Sequence, residues 1–391
     1  MGESSRADLI APGGKIDEDL VRSLVAEGDT GEDEALRRVQ FKLTRDLRKR
    51  LDQYLTDRIG FLSRAQAQRL IDSEMVQVNG RTPKASTKLR LGDVVDVVVP
   101  PPPSKEIKPE RIPIQVLFED EHLIVLNKTP DIIVHPARSH LSGTLVNALA
   151  WHFQNNSPSG GGLSEVGADD ARPGVIHRLD RQTSGVLVFA KHEETHWKIA
   201  RQFEHRTVDK RYLAVVTGAL DPLAEVIDLP IGPHPSNVKG QREKYVVRYD
   251  DWGKPSVTIY RTRERYEGYT LVEIELRTGR THQIRVHMSH RGHPLVGDDM
   301  YGGPLLTYGH LGAESPNGPG ADLMTRQALH AASLTFRHPM TGERMTFTAP
   351  VPLDMARLIA ILRKHRPGAG PTDFESNTLD LSRAVPDVEL P

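Results

Sequence analysis

The hydrophobic pattern of residues 41–100 predicts a small domain of two helices and a strand pair. Leucine and isoleucine recur at helical spacing across residues 51–62. Ser63, with Gln66 three residues later, predicts the capped start of the second helix. Residues 94–99 are valine at every position but one, which is typical of a strand. The pattern therefore favours a compact α+β module.

Residues 111–365 show a different pattern, in which short apolar runs alternate with polar turns. Residues 186–190 and 212–217 are nearly continuous apolar runs, as in buried strands. Residues 281–291 are predicted to form a helix that Thr281 caps. For the whole chain we expect an α+β fold, in which the small domain precedes a mixed, largely antiparallel sheet with flanking helices and a central cleft.

Polar and proline-rich segments predict the limits of these domains. Residues 1–40 combine acid clusters with little apolar patterning, so we expect a poorly ordered extension. Residues 101–110 begin with prolines and are expected to link the small domain, residues 41–100, to the larger domain, residues 111–365. Residues 366–391 are expected to form a flexible acidic tail.

The net charge of −1 hides a cationic body between two acidic ends. Residues 1–40 carry a balance of −5 and residues 367–391 carry −4, which leaves +8 for residues 41–366. Such a body suits a polyanionic partner, and an ordinary solvated surface explains it equally well. The 391 residues include no cysteine, which excludes disulfides and thiolate metal sites, and no apolar run long enough to span a membrane. We expect a cytoplasmic monomer.

The small domain carries four short motifs in order, namely Arg50-Leu51-Asp52, Ser63-Arg64, Val76-Gln77-Val78-Asn79-Gly80 and Leu91-Gly92-Asp93. Together they resemble the small RNA-binding domain first known from a ribosomal protein of the small subunit. The resemblance implies RNA contacts and no particular reaction. The positions that it implicates are Arg50, Ser63, Arg64 and Arg69. From the residues alone, these side chains equally fit solvated helix faces.

Residues 177–185 are the most informative segment of the larger domain. Asp180 stands between Arg178 and Arg181, in a run that ends in Ser184-Gly185 directly before an apolar strand. A tight loop of this kind can hold side chains in a cleft. A carboxylate among guanidinium groups stays ionised and can be held in a fixed geometry. Taken alone, Asp180 fits a structural role in the loop as well as a chemical one.

Further motifs follow that segment in a fixed order, namely Lys210-Arg211-Tyr212-Leu213, Thr278-Gly279-Arg280-Thr281-His282-Gln283-Ile284-Arg285 and Leu329-His330-Ala331. With residues 177–185 they resemble the RluA/RluD-type pseudouridine synthases of large-subunit ribosomal RNA. The resemblance covers about residues 113–362. It implies that the chain converts uridine in RNA to pseudouridine. That reaction requires no redox change and no net hydrolysis, so we expect no cofactor and no metal.

The resemblance also implies roles for individual side chains. Asp180 is expected to act as nucleophile or base on the target nucleotide, and the residues leave the choice between sugar and base open. Arg285 is expected to pair with Asp180, and Arg280 is the alternative partner. Tyr212 is expected to stack against the base, although a buried strand aromatic is the plainer interpretation.

Two more residues of the signature segment are expected to bind the substrate. A stacked uridine must be turned out of the RNA helix, at a cost of a few kcal/mol. By resemblance, Arg178 is expected to fill the vacated space. His177 is expected to brace the loop through hydrogen bonds.

Other functions compete with this hypothesis. A non-catalytic RNA-binding or ribosome-associated protein with the same fold remains the alternative. A glycoside hydrolase needs two carboxylates that flank the sugar, and the signature segment offers one. A metal site is considered at His282, His287, His290 and His293, but their spacing is not that of a zinc motif. Asp298, which follows Gly297, is interpreted as part of a turn.

Overall fold

A computed structural model describes residues 9–21, 38–100, 107–136, 142–167, 172–236, 238, 243–372, 374–375 and 379–390. The chain forms two compact units, Met1–Lys105 and Glu106–Pro391, called here the N-terminal and C-terminal units. Residues 101–106, within the predicted linker, lie outside the described part. In the described ranges no helix is long and apolar enough to cross a bilayer.

The N-terminal unit packs two helices on a three-stranded antiparallel sheet of order β1-β3-β2. Its elements are β1 (Arg38–Lys42), α1 (Leu51–Arg58), α2 (Arg64–Asp72), β2 (Val76–Val78) and β3 (Val94–Val98). The predicted capping box of Ser63 and Gln66 is confirmed at the start of α2. A tight turn follows β2, where both Asn79 and Gly80 have positive φ angles, as is typical of an Asn-Gly pair.

The acidic extension differs from its prediction where the structure describes it. Leu9, Ile16 and Val21 are buried in the core of the N-terminal unit, and β1 begins at Arg38. Residues 9–21 are therefore packed rather than poorly ordered, because a few apolar side chains suffice to anchor a polar segment to a core that lies elsewhere in the sequence. The rest of the extension, residues 1–8 and 22–37, lies outside the described residues.

The C-terminal unit is built on one large sheet with helices packed against it. Its sheet strands are β4 (Gln115–Glu119), β5 (Leu123–Lys128), β6 (Ser184–Ala190), β7 (Asp209–Thr217), β8 (Ala224–Asp228), β11 (Val257–Tyr266), β12 (Tyr269–Leu276), β15 (Leu329–Arg337), β16 (Arg344–Thr348) and β17 (Pro367–Pro371). Two small pairs complete it, β9 (Ile231–Pro233) with β10 (Tyr245–Val247) and β13 (Leu306–Thr307) with β14 (Asp322–Met324). The helices are α3 (Leu145–Asn155), α4 (Glu193–Glu204), α5 (Gln283–His290), α6 (Leu353–His365) and α7 (Leu381–Ala384).

The prediction of a mixed, largely antiparallel sheet is confirmed. The strand order is β17-β11-β12-β7-β15-β6-β5-β4, with β16 paired to β15 and β8 to β11. Only β6 and β15 run parallel among the strand pairs of this sheet in the described part of the chain. At that pair Gly185 lies opposite Ala331, and a Cβ atom at Gly185 would come within 2.2 Å of the Ala331 carbonyl oxygen. A glycine is therefore required where the signature segment enters the sheet.

The C-terminal end differs from the predicted flexible tail. Strand β17 pairs with β11, and Leu379, Ala384 and Val385 are buried against α6 and its neighbours. The guanidinium of Arg263 donates two hydrogen bonds of 3.0 Å to the carbonyl oxygen of Leu379. These parts of the tail belong to the C-terminal unit because β17 forms an edge of its sheet and the buried side chains join its core.

Helix α5 begins later than its sequence suggests. Thr281 was the predicted cap, but the residue before the helix is His282, which has a left-handed backbone with φ of 57°. His282 makes no side-chain capping bond. Its side chain instead faces the candidate site described next.

Candidate active site

A buried lysine holds the loop that carries Asp180 through hydrogen bonds to backbone carbonyl oxygens. Lys128 is 1% exposed at the end of β5, and its Nζ donates to the carbonyl oxygens of Thr129, Arg181 and Thr183 at 2.9, 2.9 and 2.7 Å. Burial, together with the charge of Arg326, lowers the pKa of Lys128 to about 7. Two of these bonds hold the backbone just after Asp180, at Arg181 and Thr183, and the third ties Lys128 to Thr129.

Neighbouring side chains hold the same loop from two other directions. Arg326 donates from Nη1 to the carbonyl oxygen of Gln182 at 3.0 Å, while Asp354 holds the guanidinium through two bonds. Asp131 accepts from Arg181 Nε at 2.9 Å and from Gln182 Nε2 at 3.0 Å. The position of Asp180 is thus determined by side chains from several separate segments.

Asp180 lies in a cavity of about 220 Å³. Leu276, Ile284 and Leu329, which belong to the main core of this unit, form apolar parts of its wall. The polar wall includes Arg178, Asp180, Tyr212, Arg280, His282 and Arg285. One water takes up about 30 Å³ in the liquid, so the cavity volume equals that of roughly seven waters. This leaves room for a group the size of one pyrimidine.

Arg285 links Asp180 to a second, more deeply buried carboxylate. Its Nε and Nη2 donate to Asp298 at 2.7 and 2.8 Å, and its Nη1 lies 3.4 Å from Asp180 Oδ2. The side chain of Asp298 is 1% exposed, that of Arg285 is 7% exposed and that of Asp180 is 21% exposed. Burial opposes the charge of Arg285, but Asp298 and Asp180 outweigh it and raise the pKa of the guanidinium. Arg285 is therefore a fixed cation, with Asp298 as its main partner.

His282 approaches the same oxygen of Asp180 as Arg285 does. Its Nε2 is 3.9 Å from Asp180 Oδ2, and its Nδ1 is 2.8 Å from Tyr301 Oη. The backbone N–H of Tyr245 also donates to Tyr301 Oη, at 2.9 Å. The Tyr301 ring faces the guanidinium of Arg285 at 4.8 Å. Burial lowers the pKa of His282, so the ring is neutral at neutral pH.

Tyr212 contributes a protonated phenol to the cavity. It lies on β7 opposite Ile274 and is 8% exposed. Burial, followed by the charge of Asp180, raises the pKa of its hydroxyl above the ordinary value. Tyr212 therefore keeps its proton and presents a planar apolar ring beside the carboxylate.

The remaining predicted residues of this unit take different places. Arg178 is exposed at the cavity and forms no ion pair with another described residue. Arg280 is also exposed at the rim, where its Nε donates to the Pro255 carbonyl oxygen at 3.3 Å. The guanidinium beside Asp180 is thus that of Arg285 rather than Arg280.

His177 does not line the cavity, which corrects its assignment to substrate binding. Its Nε2 accepts a hydrogen bond from the Val188 N–H at 3.2 Å, and its ring stacks on Phe203 at 4.6 Å. Burial, together with the nearby Lys210, lowers its pKa to about 3. These contacts hold His177 against β6 and α4, so it braces the signature segment instead of facing the cavity.

In the N-terminal unit, two of the predicted RNA-contacting arginines share one buried aspartate. Asp52 has a side chain with 0% exposure and accepts from Arg50 at 3.0 and 3.0 Å, from Arg64 at 2.9 Å and from Gln68 at 3.2 Å. The hydrogen bond from Arg50, with those from Arg64 and Gln68, holds the pKa of Asp52 well below its usual range. The arginines are 38% and 52% exposed, so both can still reach a partner in solvent.

The other two predicted positions differ from this pair. The Ser63 hydroxyl accepts from the Gln66 N–H at 3.2 Å, so its oxygen serves the helix cap. Arg69 lines a separate apolar cavity with Phe61 and Met75. Of the four positions, Arg50 and Arg64 are therefore those that the fold brings together as one cationic group.

Comparison with known proteins matches both units. Residues 122–290 match the family model described as RNA pseudouridylate synthase, and residues 49–95 match the S4 domain. The chain is 41% identical over 317 residues to an uncharacterized RNA pseudouridine synthase of Bacillus subtilis, YlyB, which covers 81% of this chain and 95% of the relative. The chain belongs to the RNA pseudouridine synthase family. The resemblance predicted from the motifs is confirmed, and the synthase is an isomerase with an RNA-binding S4 domain.

Two further relatives are similar to the synthase. Ribosomal large subunit pseudouridine synthase D of Xanthomonas campestris is 39% identical over 322 residues, with 81% of this chain and 89% of that protein covered. The solved structure of human RNA pseudouridylate synthase domain containing 4 is 26% identical, with 64% of this chain and 93% of that chain covered and a TM-score of 0.48.

Sequence reasoning about the synthase missed three residues that shape the site. Asp298 was interpreted as part of a turn, which it is, but its carboxylate is also the main partner of Arg285. Lys128 was not singled out in the sequence, and His282 was considered only as part of a motif and as a metal ligand. Asp298 lies 13 residues after Arg285, so an Arg within a predicted helix and an Asp after the following glycine turn were the available hint.

Proposed function

We propose that the synthase isomerises uridines of large-subunit ribosomal RNA in the cytoplasm, with Asp180 as the reacting carboxylate. The observation that carries the role of Asp180 is its position in a cavity of nucleobase size, 3.4 Å from the Arg285 guanidinium. The choice of RNA is supported by the relative named ribosomal large subunit pseudouridine synthase D, at 39% identity.

The reaction exchanges one bond to the sugar for another. The bond from uracil N1 to the anomeric carbon breaks, the base turns, and C5 bonds to the same carbon. C5 then loses a proton and N1 gains one, so the product is an isomer of the substrate. Asp180 serves as nucleophile or as base, and either role requires its ionised form. Arg285 donates to this carboxylate from Nη1 and holds it in a fixed orientation.

Tyr212 and Arg178 supply the other contacts in this proposal. The Tyr212 ring stacks against the base and, as a neutral phenol, can donate or relay a proton but is not a standing base. Arg178 is exposed at the cavity, which suits a side chain that fills the space left by the turned-out uridine. Arg50 and Arg64 contact RNA phosphates, which carry no sequence information.

The test is Asp180→Asn, which keeps the side-chain size and removes the carboxylate. We expect RNA affinity within about threefold of the wild type and a rate at least about a thousandfold lower. The assay is single-turnover release of tritium from RNA labelled at uracil C5, with filter binding for affinity. Substantial turnover by the purified variant would refute the role of Asp180.

The RNA species is tested separately. Pseudouridines are mapped in RNA from cells that lack the gene and are complemented with wild type or with Asp180→Asn. We expect sites in large-subunit ribosomal RNA to return only with the wild type. If the dependent sites lie in transfer RNA or messenger RNA alone, the proposed substrate is wrong while the activity stands.

A further inference from the structure

His282 occupies a left-handed backbone position, which is uncommon for residues other than glycine. Its φ of 57° is in the left-handed region, where glycine and asparagine are most at ease. Its side chain is only 15% exposed and lies between Tyr301 and Asp180. Residues held in such conformations cluster at functional sites. The side chain of His282 therefore calls for an explanation beyond the start of α5.

The contacts of Tyr301 determine which ring nitrogen of His282 carries the hydrogen. The Tyr245 N–H can only donate, so it occupies a lone pair of Tyr301 Oη. Burial raises the pKa of Tyr301 to about 12, so its hydroxyl keeps its hydrogen. Among the described residues, His282 Nδ1 at 2.8 Å is the one acceptor within hydrogen-bond distance of this hydroxyl, so the hydrogen is directed to it. Nδ1 is then an acceptor, and in the neutral ring the hydrogen must lie on Nε2.

The contact between His282 and Asp180 favours the same tautomer of the histidine ring. An ionised carboxylate can only accept, so Nε2–H facing Asp180 is attractive while a bare Nε2 would repel it. At 3.9 Å the contact is electrostatic rather than a hydrogen bond. The charged or titratable groups that surround this pair are Lys128, Arg178, Tyr212, Arg285, Asp298 and Tyr301.

We propose that His282 is a positioning residue for Asp180. Tyr301 fixes the neutral tautomer of His282, so that Nε2–H faces the carboxylate and, together with Arg285, holds its charge in place. Tyr301 also packs on Arg285, so one tyrosine orients both partners of Asp180. This inference rests on the proposed role of Asp180.

The experiment measures the single-turnover rate against pH for matched variants. His282→Asn suits the left-handed backbone and reaches only the Tyr301 side, whereas His282→Gln extends its amide toward the Nε2 position. We expect the rate of His282→Asn to fall about tenfold and the acidic limb of its profile to move up by about half a pH unit, because the carboxylate loses a favourable donor. His282→Gln should recover most of the rate and the wild-type limb.

Two further variants complete the set. Tyr301→Phe should move the limb in the same direction as His282→Asn, by less, because the tautomer is no longer fixed. His290→Gln, an exposed histidine on α5, should match the wild type. The substrate is tritium-labelled total RNA from cells that lack the gene, so the test does not depend on which RNA is modified.

The proposal is overturned if His282→Asn lowers the rate equally at every pH, or if His282→Gln behaves as His282→Asn does. If His282→Asn does not fold by circular dichroism, an unmoved limb in Tyr301→Phe overturns it instead. An active Asp180→Asn defeats the proposed role of Asp180. An inactive Asp180→Asn with unmoved limbs in the His282 and Tyr301 variants defeats this inference alone.

Discussion

Asp52 in the N-terminal unit and Asp298 in the C-terminal unit are both buried carboxylates that hold guanidinium groups, but they hold them in different surroundings. Around Asp52, Arg50 and Arg64 are 38% and 52% exposed. Against Asp298, Arg285 is 7% exposed, and its remaining nitrogen faces Asp180. One carboxylate orients cations toward solvent, and the other orients a cation toward a second carboxylate.

The difference lies in what surrounds the guanidinium. An exposed arginine is screened by water and salt, so Arg50 and Arg64 suit phosphate contacts that any RNA sequence can make. A buried arginine interacts more strongly with its neighbours because the surroundings screen it less. Arg285 can therefore hold the Asp180 carboxylate in place more strongly than the exposed pair could hold a group in solvent.

The largest effect is expected from Asp298→Asn. It leaves the buried Arg285 without its main partner, so we expect the free energy of unfolding to fall by about 3 kcal/mol. The single-turnover rate should fall by at least about a hundredfold because Arg285 no longer has a fixed geometry. Urea unfolding and tritium release measure the two effects.

The matched control is Asp299→Asn, an exposed neighbour in the same turn, which should cost less than about 0.5 kcal/mol. A loss below about 1 kcal/mol for Asp298→Asn would mean that Asp180 alone can hold Arg285.

Arg285→Lys tests whether a positive charge alone is sufficient, because lysine keeps the charge but lacks the planar guanidinium that can donate to two partners. A single ammonium cannot donate two bonds to Asp298 and also reach Asp180. We expect the rate to fall by about 10- to 100-fold with RNA affinity unchanged. Arg291→Lys, at an exposed arginine just after α5, serves as the control in the same assay. A rate within about twofold of the wild type would show that Asp180 needs only a nearby charge.

Asp52→Asn tests the exposed arrangement through pH. The folded pKa of Asp52 is depressed, so its contribution to stability is present above the unfolded pKa of about 3.9 and is lost as pH falls toward the folded value. We expect the variant to lose about 1–2 kcal/mol at pH 7 and the two proteins to converge below pH ~4.

Hydrogen exchange in peptides from residues 51–72 reports on this unit. Asp57→Asn, at a half-exposed aspartate of α1, is the control. An equal gap between wild type and Asp52→Asn at pH 3 and pH 7 would contradict the assignment of the pKa shift to Asp52.

The smallest effect is expected from Arg64→Gln. Loss of one phosphate contact should reduce the slope of log affinity against log salt by about 0.7 and weaken binding a few-fold, without changing the rate at saturating RNA. Arg383→Gln, at an arginine that is 83% exposed near the C-terminus, is the control. A slope equal to that of the wild type would exclude Arg64 from the RNA contacts.

Local features of the fold were readable from the sequence because neighbouring residues determine them. The capping box at Ser63, the turn at Asn79-Gly80 and the apolar run of β6 all depend on residues within one element. Strands β1 and β17 were missed because their partners lie far along the chain. Arg38 pairs with Val98, and Gly370 pairs with Arg265, and neither pairing leaves a local signal.

The candidate site shows the same division. The motifs pointed to Asp180, Tyr212 and Arg285, and the structure brings all three to one cavity. Their order in the chain could not reveal that Asp298 is the main partner of Arg285. Nor could it show that His177 faces Phe203 and Val188 rather than the cavity.

The sequence by itself determined the family, because its ordered motifs resemble those of known proteins. The segment around Asp180, the tyrosine motif and the motifs of the small domain resemble an RNA pseudouridine synthase with an S4 domain, and the family comparisons confirm this resemblance. The electrostatic role of each charge required the tertiary structure. Whether a guanidinium meets water, as Arg64 does, or two carboxylates, as Arg285 does, depends on burial and on partners distant in sequence. Burial is established only when the chain packs, so a sequence motif cannot predict it.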